Sequence, residues 1–250
     1  MRILVSNDDG IRARGLKVLE DIAKQLSDDI WVVAPETEQS GAGHSLTLHR
    51  PLRVRRISAQ RIAIDGTPTD CVMLAINKLI PGPPPDLVLS GVNRGSNVAD
   101  DVTYSGTIAA AMEATMLGVP AIALSLEYDN RARVKWATVR HHAPDLIRRL
   151  IDIGWPKNVL INVNFPDVAA DAVEGVVVAR QGRHKFGDSL TERLDPRGQP
   201  YYWIGGMRGP EKPDAGTDMA AVVGGAIAVT PLSLDLTHRP TCTRLREALT

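Results

Sequence analysis

The sequence predicts an α/β protein with a mainly parallel sheet, and two patterns near the start of the chain carry this prediction. Apolar runs at residues 3–6 and 30–34 indicate short buried strands. Between them, apolar residues recur at helical spacing, at Leu16, Leu19 and Ile22. A strand, a helix and a second strand in this order indicate a βαβ unit, which joins two parallel strands by a right-handed crossover.

The same alternation of strands and helices continues to about residue 175. Further strands are predicted at residues 52–57, 61–64, 86–90, 120–125 and 159–163. Helices are predicted from a start at residues 66–70 to residue 79, at residues 108–117 and at residues 136–153. We therefore expect a single domain over residues 1–250, with an α/β core over about residues 1–175.

From about residue 176 the pattern indicates an extended β-hairpin arm followed by a C-terminal exchange segment. Residues 181–209 are polar and rich in Gly, Arg and Pro, with a returning strand at residues 201–204. Aromatic residues in a segment with so little core of its own suggest burial against another subunit, and the alternative is a surface loop. A short helix capped by Thr217, a strand at residues 227–232 and a terminal helix at residues 244–249 complete the prediction.

Composition narrows the class of protein. The formal net charge is zero, which argues against a surface that coats duplex nucleic acid. The two cysteines, Cys71 and Cys242, match no zinc spacing, so we expect free thiols in a reducing compartment. The sequence shows no signal-peptide pattern and no apolar run as long as a membrane span. We therefore expect a cytoplasmic protein without a membrane partner.

Two adjacent carboxylates, Asp8 and Asp9, follow the first predicted strand, where open α/β sheets bind ligands. Side by side they repel each other and lose hydration when buried, and a hard divalent cation such as Mg²⁺ or Mn²⁺ offsets both effects. Ser40 follows a second predicted strand, and Asn93 and Asn97 follow a third. These loops open on the same edge of the sheet, so a hydroxyl and an amide oxygen from them can complete an all-oxygen set of ligands. The alternative is that Asp8 and Asp9 cap the next helix in water.

A second group of polar residues precedes the helix predicted at residues 108–117. Ser105, Gly106 and Thr107 stand at its start, where free backbone N–H groups and hydroxyls favour an anion. A cation beside such a helix start indicates a phosphate monoester as the ligand. N-capping by Ser105 or Thr107 is the alternative, and the two roles are compatible.

An ordered series of motifs resembles the SurE family of stationary-phase survival proteins, which are metal-dependent 5′/3′-nucleotidases. The first half carries Asn7-Asp8-Asp9-Gly10, Val33-Ala34-Pro35, Ser40-Gly41-x-Gly43-x-Ser45-Leu46-Thr47 and Gly66-Thr67-Pro68-x-Asp70-Cys71-Val72. The second half carries Pro85-Asp86-Leu87-Val88, Ser90-Gly91-Val92-Asn93-x-Gly95-x-Asn97, Tyr104-Ser105-Gly106-Thr107, Asn162-Val163-Asn164, Thr217-Asp218 and Val229-Thr230-Pro231-Leu232. The resemblance extends from residue 1 to about residue 235. Ala99 stands where the family often has Gly.

The resemblance implies a Rossmann-like three-layer sandwich that binds one divalent cation, Mg²⁺ or Mn²⁺, per subunit. The implied metal ligands are Asp8, Asp9, Ser40 and Asn93, and the implied phosphate-binding residues are Asn97, Ser105, Gly106 and Thr107. The implied substrates are nucleoside 5′- and 3′-monophosphates, together with short polyphosphate. The implied assembly is a homodimer or homotetramer with exchanged C-terminal arms.

The expected reaction is hydrolysis of the phosphate monoester by a metal-activated water, with catalytic Asp8 or Asp9 positioning or deprotonating that water. A covalent step through Ser40 or an aspartate is an open alternative. A zinc-dependent amide hydrolase is a second alternative, although Ser6 and Asn7 stand where that chemistry needs a His. A third is a non-catalytic nucleotide- or metal-binding protein. His44, beside Ser40 in sequence, could donate a proton but is expected to face solvent.

Overall fold

The computed structural model describes residues 1–129, 133–183, 190–204 and 213–249. The strands are β1 (Arg2–Ser6), β2 (Asp29–Pro35), β3 (Val54–Ser58), β4 (Arg61–Ile64), β5 (Leu87–Arg94), β6 (Ala121–Leu126), β7 (Val159–Phe165), β8 (Val176–Val178), β9 (Leu190–Leu194), β10 (Pro200–Ile204) and β11 (Ile227–Ser233). The α-helices are α1 (Arg14–Ala23), α2 (Pro68–Leu74), α3 (Gly106–Met116), α4 (Trp136–Ile153), α5 (Asp218–Val223) and α6 (Arg239–Leu249).

One twisted sheet organises the chain, with the strand order β3-β4-β2-β1-β5-β6-β7-β11-β8. The six strands from β4 to β7 in this order are all parallel. Strand β3 is antiparallel to β4, and β11 is antiparallel to β7 and parallel to β8. The chain places β2 and β4 on one side of β1 and then places β5 on its other side. Sheets of this type bind ligands in the crevice at such a switch point, which here lies between β1 and β5. The predicted mainly parallel α/β sheet is confirmed.

Helices cover both faces of the sheet and give three layers. On one face, α1 and α4 bury Leu19, Ile22 and Val139 against the strands. On the other face, α2 and α3 bury Val72 and Ile108 in a separate core. Both faces of the parallel strands are therefore apolar, which explains why these strands read as continuous hydrophobic runs in the sequence.

The C-terminal hairpin is confirmed as an antiparallel pair, β9 with β10, in which Ile204 lies opposite Leu190. Its residues are mostly exposed, and Trp203 retains 63% of its accessible surface. The remainder of the predicted arm, residues 184–189 and 205–212, lies outside the described residues. None of the helices in the described residues combines the length and apolar character that a membrane crossing requires.

Three element boundaries differ from the sequence prediction. Helix α6 begins at Arg239 and not at residue 244, because Pro240 fits the first turn of a helix, where its missing N–H is not needed. The predicted helix ending at residue 79 is α-helical to Leu74 and then turns into a π-helical segment, Ala75–Leu79. Strand β5 was predicted to stop at residue 90, but it continues to Arg94.

The extension of β5 places Asn93 on a strand and not in a loop. The pairing of β5 with β6 shifts register between Gly91 and Asn93, which marks a β-bulge. Gly91 has a φ of +130°, and a Cβ built there would lie 2.2 Å from the carbonyl oxygen of Leu124. Only glycine fits this position, and the bulge changes the direction of β5 just before Asn93.

Ala99 has a backbone conformation that glycine adopts more readily than alanine does. It is the only non-glycine residue with positive φ, +52°, within the described residues. It is fully buried, its N–H donates to Asp218 Oδ2 at 3.0 Å, and its carbonyl accepts from Gln181 Nε2 at 2.8 Å. The surrounding hydrogen bonds hold this backbone in a conformation that an alanine adopts only at a cost.

Ala99→Gly is expected to change the free energy of unfolding by less than about 1 kcal/mol, because relief of the left-handed conformation offsets the lost methyl group and the added chain freedom. Ala110→Gly, at a fully buried position inside α3, is the matched control. There nothing offsets the loss, so about 1–2 kcal/mol of destabilisation is expected. Urea unfolding of both variants measures the difference, and equal costs at the two positions would contradict this account.

Candidate active site

The carboxyl edge of the parallel strands carries a cavity of about 830 Å³. Six of the eight predicted site residues line it: Asp8, Asp9, Ser40, Asn93, Asn97 and Ser105. They come from the ends of β1 and β5, from the loops after β2 and β5, and from the start of α3. The structure therefore brings together side chains that lie up to 97 positions apart in the sequence.

Gly106 and Thr107, the other two predicted site residues, lie directly against Asp8. Thr107 Oγ1 donates to Asp8 Oδ1 at 2.5 Å, and the backbone N–H of Thr107 donates to the same carboxylate. A Cβ built on Gly106 would lie 2.6 Å from the Cβ of Asp8. The start of α3 thus holds Asp8 in place by two hydrogen bonds and a close backbone contact. Phosphate binding by Gly106 and Thr107 stays a prediction.

Thr107→Val is expected to lower the affinity for Mn²⁺ by about 10–100-fold, the usual cost of losing a partner that orients a metal ligand. Valine matches the shape of the buried threonine but cannot donate to Asp8, so the carboxylate loses its fixed orientation. Isothermal titration of Mn²⁺ into the metal-free variant measures the change. Thr115→Val in the same helix is the control, because Thr115 Oγ1 bonds only the Ala111 carbonyl at 2.8 Å.

Asp9 lies in a markedly acidic environment. Burial raises its pKa, and the neighbouring charges of Asp8 and Glu38 raise it further, to about 7. Burial also raises the pKa of Asp8, against the lowering effect of its hydrogen bonds to Thr107. The backbone N–H of Arg94 donates to Asp9 and offsets part of the repulsion. The metal-free site thus holds carboxylates that a cation would stabilise in their charged form.

The raised pKa of Asp9 has a consequence for stability. It exceeds the value of about 3.9 that an unfolded aspartate has, so the folded metal-free protein binds more protons between these two values. The contribution of Asp9 to the free energy of unfolding therefore decreases as pH rises from about 4 through 7. A cation bound beside both carboxylates removes this cost.

Ser40 and Asn93 each have an oxygen left for a cation. Ser40 Oγ donates its proton to Glu38 Oε1 at 2.9 Å, so its lone pairs remain available. Asn93 Nδ2 donates to the carbonyl of Gly95 at 2.9 Å, which fixes the amide and leaves Oδ1 as an acceptor. Two carboxylates, a hydroxyl and an amide oxygen around one cavity fit a hard divalent cation with several waters.

Asn97 forms hydrogen bonds with three residues of the sheet. Its backbone N–H donates to Asn164 Oδ1 at 2.7 Å, and its carbonyl accepts from Asn162 Nδ2 at 2.8 Å. Its own Nδ2 donates to Ser125 Oγ at 2.7 Å. Asn162 and Asn164 are buried on one face of β7, and their alternate spacing in an apolar strand was a visible signal for this role.

Ser105 lines the cavity and also caps α3. Its Oγ accepts from the N–H of Ile108 at 3.1 Å, so N-capping by Ser105 is confirmed. The capping bond uses one lone pair of the hydroxyl and leaves its proton free to donate. Binding of phosphate by Ser105 and Asn97 stays a prediction.

The loop that carries Ser40 is attached at both ends. The N–H of Gln39 donates to the carbonyl of Asp8 at 2.8 Å, and the N–H of Gly43 donates to the carbonyl of Tyr104 at 3.2 Å. His44 is exposed on this loop, as expected, and its Nε2 also lies 3.0 Å from Glu113 Oε2 of α3. Glu113 is 69 residues away in sequence, so local pattern could not reveal this partner.

A zinc site of the kind that the amide-hydrolase alternative needs is not found in the described part of the chain. No group of three or more His, Cys, Asp or Glu side chains there could hold a metal ion. Ser6 and Asn7, which precede the carboxylate pair, are both fully buried. Binding of a cation by the oxygens of Asp8, Asp9, Ser40 and Asn93 stays a prediction.

The fold and the cavity define a class of protein: a Rossmann-like α/β protein with an oxygen-lined cavity at the carboxyl edge of its parallel strands. The model of the family described as "Survival protein SurE" matches residues 3–188 of this chain. The chain belongs to the SurE family, as the ordered motifs predict.

Individual relatives agree over the full length. The chain is 62% identical to a protein of Paramagnetospirillum magneticum over 99% of this chain and 95% of the relative. It is 55% identical to a protein of Parvibaculum lavamentivorans over 100% and 91%, and both relatives are named 5′-nucleotidase SurE. A solved structure of the SurE protein from Aquifex aeolicus is 36% identical, covers 100% of both chains and superimposes with a TM-score of 0.88.

Proposed function

We propose that this chain is a metal-dependent phosphomonoesterase that hydrolyses nucleoside 5′-monophosphates, and also 3′-monophosphates, to nucleoside and phosphate. The observation that carries the proposal is the adjacent pair of buried Asp8 and half-buried Asp9, which shares one cavity with Ser40 and Asn93 beside the start of α3. Relatives named 5′-nucleotidase support the same reaction. A phosphate monoester suits this site because a cation and a helix start are both favourable for its charges.

Each side chain of the site has its own role in the proposed hydrolysis. Asp8, Asp9, Ser40 and Asn93 would hold the cation, which when bound polarises the phosphoryl oxygens and acidifies a water. Asp8 is fixed by Thr107, so Asp9 is the carboxylate that orients the attacking water and accepts its proton. Ser105 and Asn97 orient the phosphate, and the bond from phosphorus to the nucleoside oxygen breaks as the new bond to water forms. The leaving oxygen takes a proton from solvent water, and Asp9 returns its proton to solvent.

The cation is Mg²⁺ or Mn²⁺, one per subunit. Both prefer oxygen donors, and Mg²⁺ in particular keeps several waters, which an open cavity with four protein oxygens allows. Short polyphosphate is a further substrate, because the proposed contacts of the cavity are to a phosphoryl group and not to the nucleoside. The two free cysteines, Cys71 and Cys242, support a reducing cytoplasm as the location.

The protein assembles as a homodimer or homotetramer that exchanges its C-terminal arms. Tyr202, Trp203 and Ile204 on β10 are more than half exposed, and so are Leu190 and Leu194 on β9. Such a surface on two strands with little core of their own suits burial against a second copy of the chain. Light scattering of the full chain, before and after Trp203→Ser, tests the exchange, and an unchanged monomer in both would contradict it.

A panel of substrates and metals tests the function directly. Nucleoside 5′- and 3′-monophosphates, tripolyphosphate and an acetylated amine are incubated with Mg²⁺, with Mn²⁺ and with EDTA. Phosphate release from the monophosphates that EDTA abolishes is the expected result. Release of acetate would favour the amide hydrolase, and binding without turnover of any substrate would favour the non-catalytic alternative. Acid quenching of a single turnover with a ³²P-labelled nucleotide leaves no label on the protein if water attacks directly, and a phosphoryl-protein if Ser40 or an aspartate attacks.

A further inference from the structure

A second cavity, of about 550 Å³, lies next to the first and shares Arg94 with it. Its lining includes Arg14, Arg94, Arg133 and Lys135, which we call the basic cleft. Four cationic side chains around one cavity are a local excess in a chain whose formal net charge is zero. Sequence analysis gave none of these residues a role.

The fold brings the start of two helices to this cleft. Arg14 is the first residue of α1, and Lys135 directly precedes α4. At Gly15, a Cβ would lie 2.0 Å from the Val92 carbonyl oxygen and 3.2 Å from the ring of Trp136, so the two helix starts meet against β5. Neither helix has a side-chain N-cap or an acidic residue in its first turn. Both helix dipoles therefore add positive potential to that of the side chains.

The charges of the cleft are only partly neutralised. Lys135 Nζ forms an ion pair with Asp167 Oδ1 at 2.7 Å. The guanidinium of Arg94 lies 4.6 Å from the centre of the Tyr128 ring, which holds it at the boundary between the two cavities. Arg14 and Arg133 are exposed and have no ion pair or hydrogen bond to another described residue. Two guanidinium groups thus remain available for a ligand that carries negative charge.

We propose that the basic cleft binds a second phosphate group of the substrate, one that is not hydrolysed. This inference rests on the proposed function, because the second phosphate is defined relative to the one held beside Asp8 and Asp9. Guanidinium groups suit phosphate because their paired N–H groups match its oxygens. Arg94 lines both cavities, so a ligand with two phosphate groups that extends past its side chain would contact both. The second phosphate belongs either to a nucleoside 3′,5′-bisphosphate or to a phosphate chain.

Steady-state kinetics with adenosine 5′-monophosphate, adenosine 3′,5′-bisphosphate and tripolyphosphate test this site. The cleft variant is Arg14→Gln with Arg133→Gln, and the control is Arg12→Gln with Arg53→Gln, which removes the same charge from exposed positions outside the cleft. For the cleft variant, the KM of a substrate with a second phosphate is expected to rise about tenfold relative to that of the monophosphate. The control is expected to change this ratio by less than about twofold.

The pattern of KM values identifies the source of the second phosphate. A rise for the bisphosphate alone assigns the cleft to a nucleotide, and a rise for tripolyphosphate alone assigns it to a phosphate chain. Equal KM ratios in the wild type and the cleft variant for both substrates would overturn the proposal.

Binding is measured separately from turnover, so that the two proposals can fail independently. Inorganic diphosphate is titrated into the metal-free protein at low ionic strength, and the cleft variant is expected to bind it about tenfold more weakly than the control variant does. A protein that hydrolyses no substrate would defeat the proposed function and leave this titration to decide. Equal diphosphate affinity of the two variants would overturn the basic cleft as an anion site.

Discussion

Asp8→Asn is expected to lower nucleotidase turnover by on the order of a thousandfold or more, in a protein that folds normally. The carboxylate contributes one of the two full negative charges among the four proposed ligands, and asparagine cannot replace that charge. Folding is preserved because Asn Oδ1 can still accept from Thr107 Oγ1. Burial raises the pKa of Asp8, so a neutral side chain also removes a desolvation cost from the metal-free protein.

Turnover at saturating Mn²⁺ and the thermal midpoint of the metal-free protein are the two measurements for Asp8→Asn. Asp145→Asn is the matched control, since that side chain is exposed on α4 and does not line the cavity. The control is expected to retain both wild-type values. Full turnover of Asp8→Asn at saturating metal would remove Asp8 from the ligand set.

Gly106→Ala is expected to lower turnover by on the order of a hundredfold, by displacing Asp8 and not by weakening α3. The added Cβ would lie 2.6 Å from the Cβ and 2.9 Å from Oδ2 of Asp8, which no side-chain rotation can avoid. Alanine is otherwise the better helix former at this position. A lower helix propensity therefore cannot be the cause of the expected loss of activity.

The control for Gly106→Ala is a change that loosens the helix without contact to Asp8. Ala111→Gly, at a fully buried position one turn further along α3, serves this purpose. It is expected to lower the thermal midpoint while Mn²⁺ affinity stays near that of the wild type. If Gly106→Ala binds Mn²⁺ as tightly as Ala111→Gly does, the close contact with Asp8 does not set the geometry of the site.

The fold could be predicted from the sequence where local pattern and tertiary environment agree. The buried runs of β1 and β2 and the apolar stripe of α1 are each set by burial on the sheet, and all three were found within a few residues. The end of β5 was missed because its bulge depends on the Leu124 carbonyl of the neighbouring strand. The left-handed backbone at Ala99 was likewise hidden, because Asp218 stabilises it from far along the chain.

The same limit applies to the candidate site. Topology predicted that the loops carrying Asp8, Asp9, Ser40 and Asn93 would meet, because the carboxyl ends of parallel strands share one edge. The family resemblance then singled out these four residues as ligands. The contacts that orient them join positions distant in sequence, so no spacing rule reveals them. The hydrogen bonds from Thr107 to Asp8 and from Asn97 to Asn164 are examples. Glu38, which accepts from Ser40, was overlooked because a single acidic residue in a polar loop forms no recognisable pattern.

Anomalous diffraction from crystals grown with Mn²⁺, collected at the manganese edge, tests the cation site most directly. The predicted result is one peak per subunit, with oxygens of Asp8, Asp9, Ser40 and Asn93 at about 2.0–2.3 Å. Soaking with a nucleoside monophosphate should then place its phosphate beside that peak and the start of α3. A manganese peak elsewhere in the subunit, with the side chains of Asp8 and Asp9 free of metal, would contradict the account.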